Sequence, residues 1–437
     1  MKLKLENIVL FVYLLFASII LALYNNLTVF CIINILYIVL IFLTLKIDIK
    51  NPLVLFTVFF ILYQISYPIV SSHGIRVFEF VELNSNYYLY SWLATISFYI
   101  FWGNASNVKY DFNKSTLNTN IFLLKTIYYF LVLVSILSSL YIIKNGFQSK
   151  YDLANSNNII LKIGDMSYTE LIVFPLFILL SKNYKVTKKR ILIIFNLMIM
   201  LFGMLTFGER SYVFNYVIII ALYYFTLRKI SVNKMAILGI AGILFVSFSS
   251  SLKMLFANNN YSNIQYNDNI IINFLNSDFS AAGFNFNFLL NNNDKNIFLG
   301  KTYIYDFLSP LDFVLPIEKY SAPKWYTNEY WKKRRTGLGF TIIGEGFINF
   351  GLVGIIFEML IISRILKFFY LKSNNNYYYY IVYMGLLSLS LYACRQSLAS
   401  IISPTVKYHI LFAVIVYFIN KSYYINKKGV KDEKNFK

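Results

Sequence analysis

The chain has 437 residues, of which 58% are hydrophobic and 14% are charged, with a mean hydropathy of +0.58. This composition excludes a soluble globular domain, because apolar stretches long enough to cross about 30 Å of hydrocarbon recur along the whole sequence. The net charge of +20 fits basic loops of a membrane protein better than nucleic-acid binding. The apolar stretches do not alternate with polar residues, so the sequence predicts an all-α polytopic fold and not a membrane barrel.

About twelve apolar stretches predict about twelve transmembrane helices in one polytopic membrane domain, residues 1–437. In chain order they cover roughly residues 8–24, 27–45, 53–71, 87–103, 121–143, 169–180, a stretch ending at Thr206, 212–227, 235–256, a stretch after Gly339 ending near Arg364, 377–393 and 404–419. A polar loop is expected before the sixth span, and Ser211 is a plausible N-cap of the eighth. The long polar, Asn-rich segment 257–339 lies between the ninth span and the tenth.

The basic residues of the short loops fall mostly on one side when the spans alternate from a cytoplasmic N-terminus. That side holds Lys46, Lys50, Lys109, Lys114, Lys182, Lys185, Lys188, Lys189, Arg190, Arg228, Lys229, Lys234, Arg364, Lys367 and Lys372. This bias predicts a protein of the cytoplasmic membrane with both termini in the cytoplasm, and it makes segment 257–339 a large extracytoplasmic loop. The outer face then gathers Arg210, Arg334, Arg335, Glu345 and Arg395 at one depth.

The candidate site lies where this loop enters the tenth span. A carboxylate inside a membrane helix usually faces a protein interior or a water-filled cavity, which makes Glu345 a functional candidate. Glu345 could act as a general base on an attacking hydroxyl, and Asn349, one turn further on the same face, could orient Glu345 or a sugar. Arginine binds phosphate through paired donors at any depth. Together these parts fit glycosyl transfer from a polyprenyl-diphosphate donor, with no metal ion and no cofactor.

Each of these residues also has a purely structural interpretation. Arg334 and Arg335 could bind anionic lipid head groups, Arg210 and Arg395 could reach to the interface as long side chains do, and Glu345 could belong to an ion pair. The loop aromatics could stack on sugars, or they could form an interfacial belt or the loop's own core. These aromatics are Tyr303, Tyr305, Tyr320, Trp325, Tyr326, Tyr330 and Trp331.

Several features resemble one known family. They are the many-span layout with a single large loop in its second half, and the following sequence motifs: Thr206-Phe207-Gly208-Glu209-Arg210-Ser211, Pro316-Ile317-Glu318 with Pro323-Lys324, and Gly337-Leu338-Gly339-Phe340-Thr341 followed by Gly344-Glu345, Asn349-Phe350-Gly351 and Gly354. The chain is similar in these features to the bacterial oligosaccharide repeat-unit polymerases, the O-antigen and capsule polymerases of the Wzy type.

The resemblance implies a GT-C-like polymerase and ligase architecture and an activity. A growing glycan on undecaprenyl diphosphate would be transferred to the non-reducing end of an incoming undecaprenyl-diphosphate-linked unit. Glu345 matches the family's acidic position and would be the base, while Arg210 and Arg395 match its arginines and would hold diphosphate, with Arg334 and Arg335 beside them. The resemblance also implies a chain-length regulator and a flippase as partners, and no nucleic acid.

Three other functions are less consistent with the sequence. An O-antigen ligase relies on a histidine in its large external loop, and segment 257–339 has none. A lipid-linked oligosaccharide flippase would place charges in a central cavity near mid-membrane and would not need such a loop. A membrane O-acyltransferase needs an intramembrane histidine, and His409 lacks the surrounding motif.

Overall fold

The structure is a computed structural model, and it describes residues 5–44, 51–103, 120–146, 158–181, 186–227, 270–276, 278–292, 298–311, 321–331, 339–374 and 376–422. The described helices are α1 (Leu5–Leu23), α2 (Leu27–Thr44), α3 (Pro52–Ser72), α4 (Tyr87–Trp102), α5 (Ile121–Lys144), α6 (Ile159–Leu171), α7 (Pro175–Leu179), α8 (Val186–Phe207), α9 (Ser211–Leu227), α10 (Ile270–Leu275), α11 (Asp278–Asn292), α12 (Lys301–Leu308), α13 (Ala322–Tyr330), α14 (Ile342–Lys372), α15 (Tyr377–Ala393) and α16 (Ala399–Ser422). The predicted ninth span, Arg334 and Arg335 lie outside the described residues.

Among these helices, α3, α5, α8, α14 and α16 are long and apolar enough to cross a membrane, while α1, α2 and α9 are apolar but shorter. In α1 the apolar side chains of Phe11, Leu15, Phe16 and Ile19 are at least half exposed. A contiguous exposed apolar surface of this kind is unfavourable in water, whereas contact with lipid carries no such cost. The chain is therefore a membrane protein that is helical in the part that the structure describes, and the total of about twelve spans stays a prediction.

The sequence predicts a polar loop up to Tyr168, and for residues 159–168 this prediction is wrong. These residues belong to α6, which packs one face closely against α5, since a Cβ on Gly164 would overlap the side chain of Ser138. Leu161, Gly164 and Tyr168 are buried at helical spacing while Lys162 is exposed. A hydropathy window averages the polar and the apolar face of such an amphipathic helix, so its mean hydropathy does not indicate a span. The sixth span is therefore not one helix over residues 169–180, because α6 ends at Leu171 and α7 follows after a turn.

The chain forms two compact units. Unit 1 comprises Met1–Asn107, Tyr224–Lys367 and Ser390–Ile401, and unit 2 comprises Val108–Tyr223, Phe368–Leu389 and Ile402–Lys437.

In unit 1, part of the predicted external loop is a buried helix. The side chains of residues 279–290 in α11 are all buried, and a Cβ on Gly283 would lie 2.6 Å from the Cβ of Tyr67 in α3. The side chain of Asn287 donates to the carbonyl of Glu82 at 2.9 Å and accepts the amide of Asn84 at 2.8 Å. Residues 278–292 are thus a packed helix within the predicted loop, in which buried asparagine side chains pair with distant backbone groups. The extracytoplasmic position of segment 257–339 stays a prediction.

In unit 2, buried hydroxyl groups link α5, α6 and α8. The hydroxyl of Ser139 lies 2.7 Å from that of Tyr168 and 2.9 Å from that of Thr206. Tyr168 stacks on Tyr212 at the start of α9, with ring centroids 5.1 Å apart. The hydroxyl of Ser211, the first residue of α9, donates to the carboxylate of Glu209 at 2.7 Å, so the N-cap position falls on the preceding residue.

Candidate functional site

The helix that carries Glu345 is broken after two turns. Phe350 (φ −142°, ψ 23°) and Gly351 (φ 60°, ψ −136°) are not helical, and the positive φ of Gly351 is a conformation that glycine adopts without strain. Across the break, a Cβ added to Gly354 would overlap the carbonyl of Gly346. The two halves of α14 therefore pack backbone against backbone, and the expectation of one uninterrupted apolar span is wrong at this point.

The short first half of α14 ends inside unit 1. The carbonyls of Ile348 and Asn349, left without partners by the break, accept the backbone amides of Phe298 at 2.8 Å and Leu299 at 3.2 Å. A helix end buried in this way needs such partners, because unsatisfied backbone groups are costly away from water. Residues 342–349 thus form a fixed, buried platform for Glu345.

Glu345 is fully buried and held by the turn between α15 and α16. The backbone amide of Leu398 donates to Oε2 of Glu345 at 2.7 Å. Just before the helix, the amide of Phe340 donates to the carbonyl of Arg395 at 2.9 Å. Both contacts join the entry segment to the same turn, which contains Arg395, fifty positions after Glu345 in the sequence.

Arg395 is half-buried and lies beside bare backbone. Its guanidinium carbon is 5.4 Å from the ring centroid of Tyr392. A Cβ added to Gly339, whose φ is +72°, would lie 3.2 Å from the Arg395 carbonyl and 3.8 Å from two of the guanidinium nitrogens. Glycine at this position therefore leaves room directly next to the charged group.

Asn349 hydrogen-bonds to the backbone of Glu345 and to the neighbouring Thr302. Its Nδ2 donates to Oγ1 of Thr302 in α12 at 2.7 Å and to the carbonyl of Glu345 at 2.8 Å. The Thr302 hydroxyl in turn faces the Glu345 carboxyl group. Since Asn349 occupies an acceptor position of Thr302, the hydroxyl proton is free to point at Glu345.

Two further carboxyl groups, which sequence reasoning did not single out, lie next to Glu345. Asp306 in α12 faces both Glu345 and the backbone amide of Ala399, and Glu358 lies in the second half of α14 beside Tyr303. Burial, and next to it the charge of Glu345, raise the pKa of Asp306 well above its usual range. A sequence signal existed for Glu358, an acidic residue within an apolar helix. None existed for Asp306, one of several acidic residues in a polar segment.

The described residues contain no group of three His, Cys, Asp or Glu side chains that could hold a metal ion. The carboxyl groups of Asp306, Glu345 and Glu358 are buried and act on one another electrostatically without forming such a group.

Arg210 belongs to unit 2, where it directly precedes α9 and is half-buried. Its carbonyl accepts the amide of Phe214 at 3.1 Å. Arg334 and Arg335 lie outside the described residues.

Most of the described loop aromatics form a core of their own. Phe288 of α11 has ring centroids of Tyr326, Tyr330 and Trp331 within 6.0 Å, and Trp325 stacks edge-on against Tyr330 at 5.7 Å. Tyr326 is completely buried. This packing supports the interpretation as a loop core over that of a sugar platform, while Tyr320 lies outside the described residues.

Comparison with protein families identifies a match along the chain. The family model described as O-antigen polysaccharide polymerase Wzy matches residues 5–428, nearly the whole chain. No curated protein and no solved structure matches.

Proposed function

The chain belongs to the Wzy family of O-antigen polysaccharide polymerases, and from this premise we propose how it lengthens a surface glycan. The growing glycan is transferred from undecaprenyl diphosphate to the non-reducing-end sugar of an incoming undecaprenyl-diphosphate-linked unit. The observation that carries this proposal is the buried carboxyl group of Glu345, which accepts a backbone amide of the turn that contains Arg395. The reaction needs a base and a ligand for the diphosphate, and these two residues supply them.

In this mechanism the acceptor hydroxyl attacks the anomeric carbon of the donor glycan. A new carbon–oxygen bond forms, the bond from that carbon to the diphosphate breaks, and the hydroxyl proton moves to Glu345. General base catalysis of this kind contributes about 10²–10⁴-fold to a rate. Asn349 orients Glu345 through Thr302, whose hydroxyl lies between them.

The leaving diphosphate gains negative charge, and the arginines stabilise it. Arg395 presents a planar fork of donors beside the bare backbone of Gly339, which suits paired contacts to phosphate oxygens. Arg210, Arg334 and Arg335 are proposed as further ligands of the diphosphate. With arginines in this role, the transfer does not require a metal ion.

The same proposal includes the setting of the reaction. The basic bias of the short loops supports a cytoplasmic-membrane protein with both termini inside and the active site at the outer face. A flippase would deliver the lipid-linked units to that face, and a chain-length regulator would act on the growing product.

Replacing Arg395 by lysine should raise the KM for the lipid-linked donor about 10- to 100-fold, because one ammonium replaces paired charge-assisted hydrogen bonds worth about 1.5–3 kcal/mol. Initial rates of extension at varied donor concentration, measured on protein in lipid nanodiscs, give this value. Arg364→Lys is the matched control, since Arg364 is exposed in the same unit. An unchanged KM in Arg395→Lys would argue against diphosphate binding.

The function itself is tested in cells that lack the protein. The deletion should leave single repeat units on the surface glycolipid, and the wild-type gene should restore the ladder of longer chains on a polysaccharide gel. A deletion that removes even the single unit would instead favour a flippase or a ligase.

A further inference from the structure

Two acidic side chains from different helices end at neighbouring backbone amides. Oε2 of Glu345 accepts the amide of Leu398, and the carboxyl group of Asp306 faces the amide of Ala399, the next residue. These amides open α16, where the first N–H groups of a helix have no partner within the helix. Partial positive charge at this helix end favours one negative charge there. Glu345 and Asp306 are 0% and 1% exposed.

Each of the two carboxyl groups has a second oxygen atom, and these oxygens would lack hydrogen-bond donors if both groups were ionised. Oε1 of Glu345 and Oδ2 of Asp306 are buried and have no hydrogen-bond partner at normal geometry among the described residues, although the two side chains face each other. Ionised carboxylates only accept hydrogen bonds, so two of them cannot bond to each other. One proton between them makes one side chain a donor and satisfies the other.

We propose that Asp306 and Glu345 form a carboxylic acid–carboxylate pair that shares one proton, in which Asp306 is the positioning residue that donates to Glu345. This inference rests on the proposed role of Glu345 as the base. Of the two side chains, Glu345 holds the negative charge, because two donors face it, the Leu398 amide and the Thr302 hydroxyl, and donors favour a charged form. Asp306 has the single amide of Ala399 and lies near the Glu358 carboxyl as well.

The pair also accounts for the proton during transfer. When the acceptor oxygen bonds to the anomeric carbon, its proton passes to Glu345, and the pair then holds two protons. The diphosphate leaves with the electron pair of the broken bond and one additional negative charge. One proton must leave the pair, to water or to the diphosphate, before the next turnover.

The decisive variants are Asp306→Asn and Asp306→Ala in the full-length protein. Asparagine is close in size, can donate from Nδ2 to Glu345 and can accept the Ala399 amide, whereas alanine can do neither. We expect Asp306→Asn to keep kcat within about tenfold of wild type and Asp306→Ala to lower kcat about 100-fold, with KM for the donor unchanged in both. In a Glu345→Gln background, Asp306→Ala should cost little more, because residues that act as a unit are not additive.

Infrared difference spectroscopy tests the pair without relying on activity. At neutral pH the wild-type spectrum minus the Asp306→Asn spectrum should contain the carbonyl band of one protonated carboxylic acid, and the wild-type spectrum minus the Glu345→Gln spectrum should not. The same difference taken with Asp165→Asn, in unit 2, should also lack the band. If the band is absent from the Asp306→Asn difference, or if kcat is equally low in the asparagine and alanine variants, the pair is overturned. An active Glu345→Gln variant would overturn the proposed base instead, and the infrared result would still stand on its own.

Discussion

Glu345→Gln is expected to lower the rate of chain extension by about 10²–10⁴-fold, the usual contribution of a general base. The side-chain carbonyl of glutamine can still accept the Leu398 amide that now reaches Oε2 at 2.7 Å, so the turn should keep its position. What is lost is the ability to take a proton. Initial rates in nanodiscs measure the effect, and in cells the polysaccharide ladder should collapse to single units while the protein stays in the membrane.

The matched control is Glu170→Gln. Glu170 is also fully buried, but in α6 of unit 2 and not on the turn that holds Glu345. The same chemical change in a similarly buried position should leave the ladder intact. A Glu345→Gln variant that extends chains at the wild-type rate would mean that the proton goes elsewhere, and Glu345 would then be a cap of α16 only.

How far the site could be predicted is clearest at Glu345 and Arg395. Topology from the loop charges predicts that they share one depth. In the structure Arg395 lies in the turn between α15 and α16, and Glu345 of α14 accepts the Leu398 amide of that turn. The link itself consists of backbone hydrogen bonds from Phe340 and to Leu398. Any residue type except proline supplies the same amide, so the sequence carries no signal for such a link.

The fold was harder to predict where polar residues are buried. Asparagines in segment 257–339 make it look like a solvated loop, yet Asn287 of α11 pairs with backbone groups of Glu82 and Asn84 some two hundred residues away. Composition counts an asparagine as polar whether water or a distant carbonyl satisfies it. For the same reason Asp306 could not be told apart from the other acidic residues of this segment, although it lies against Glu345.

Hydropathy did not predict the break in α14, because it measures only how apolar a segment is and not its backbone conformation. Residues on both sides of Gly351 are apolar, so the run looks continuous. The features that mark the break are the glycine with positive φ and the contact between Gly346 and Gly354. A spacing of eight residues would hold these two glycines about 12 Å apart in a straight helix, and their contact therefore exists only because the helix is broken.

Gly354→Ala is expected to be the most damaging single-methyl change in this region. The added Cβ would overlap the carbonyl of Gly346, and a backbone group cannot rotate away as a side chain can. The two halves of α14 would have to separate, at a cost of about 1–3 kcal/mol or more in free energy of unfolding, as for other overpacked sites. Gly346 directly follows Glu345, so the carboxylate would move with it and extension should fall together with stability.

Val353→Ala is the control for this variant, because Val353 is the neighbouring residue and 69% exposed. Thermal unfolding in nanodiscs and the surface ladder should both stay near wild type in Val353→Ala and fall in Gly354→Ala. If Gly354→Ala unfolds at the same temperature as its control, the glycines do not touch and α14 is not broken as described. If it is destabilised yet extends chains normally, the break supports the fold but does not set the position of Glu345, and the turn at Leu398 alone must hold the carboxylate.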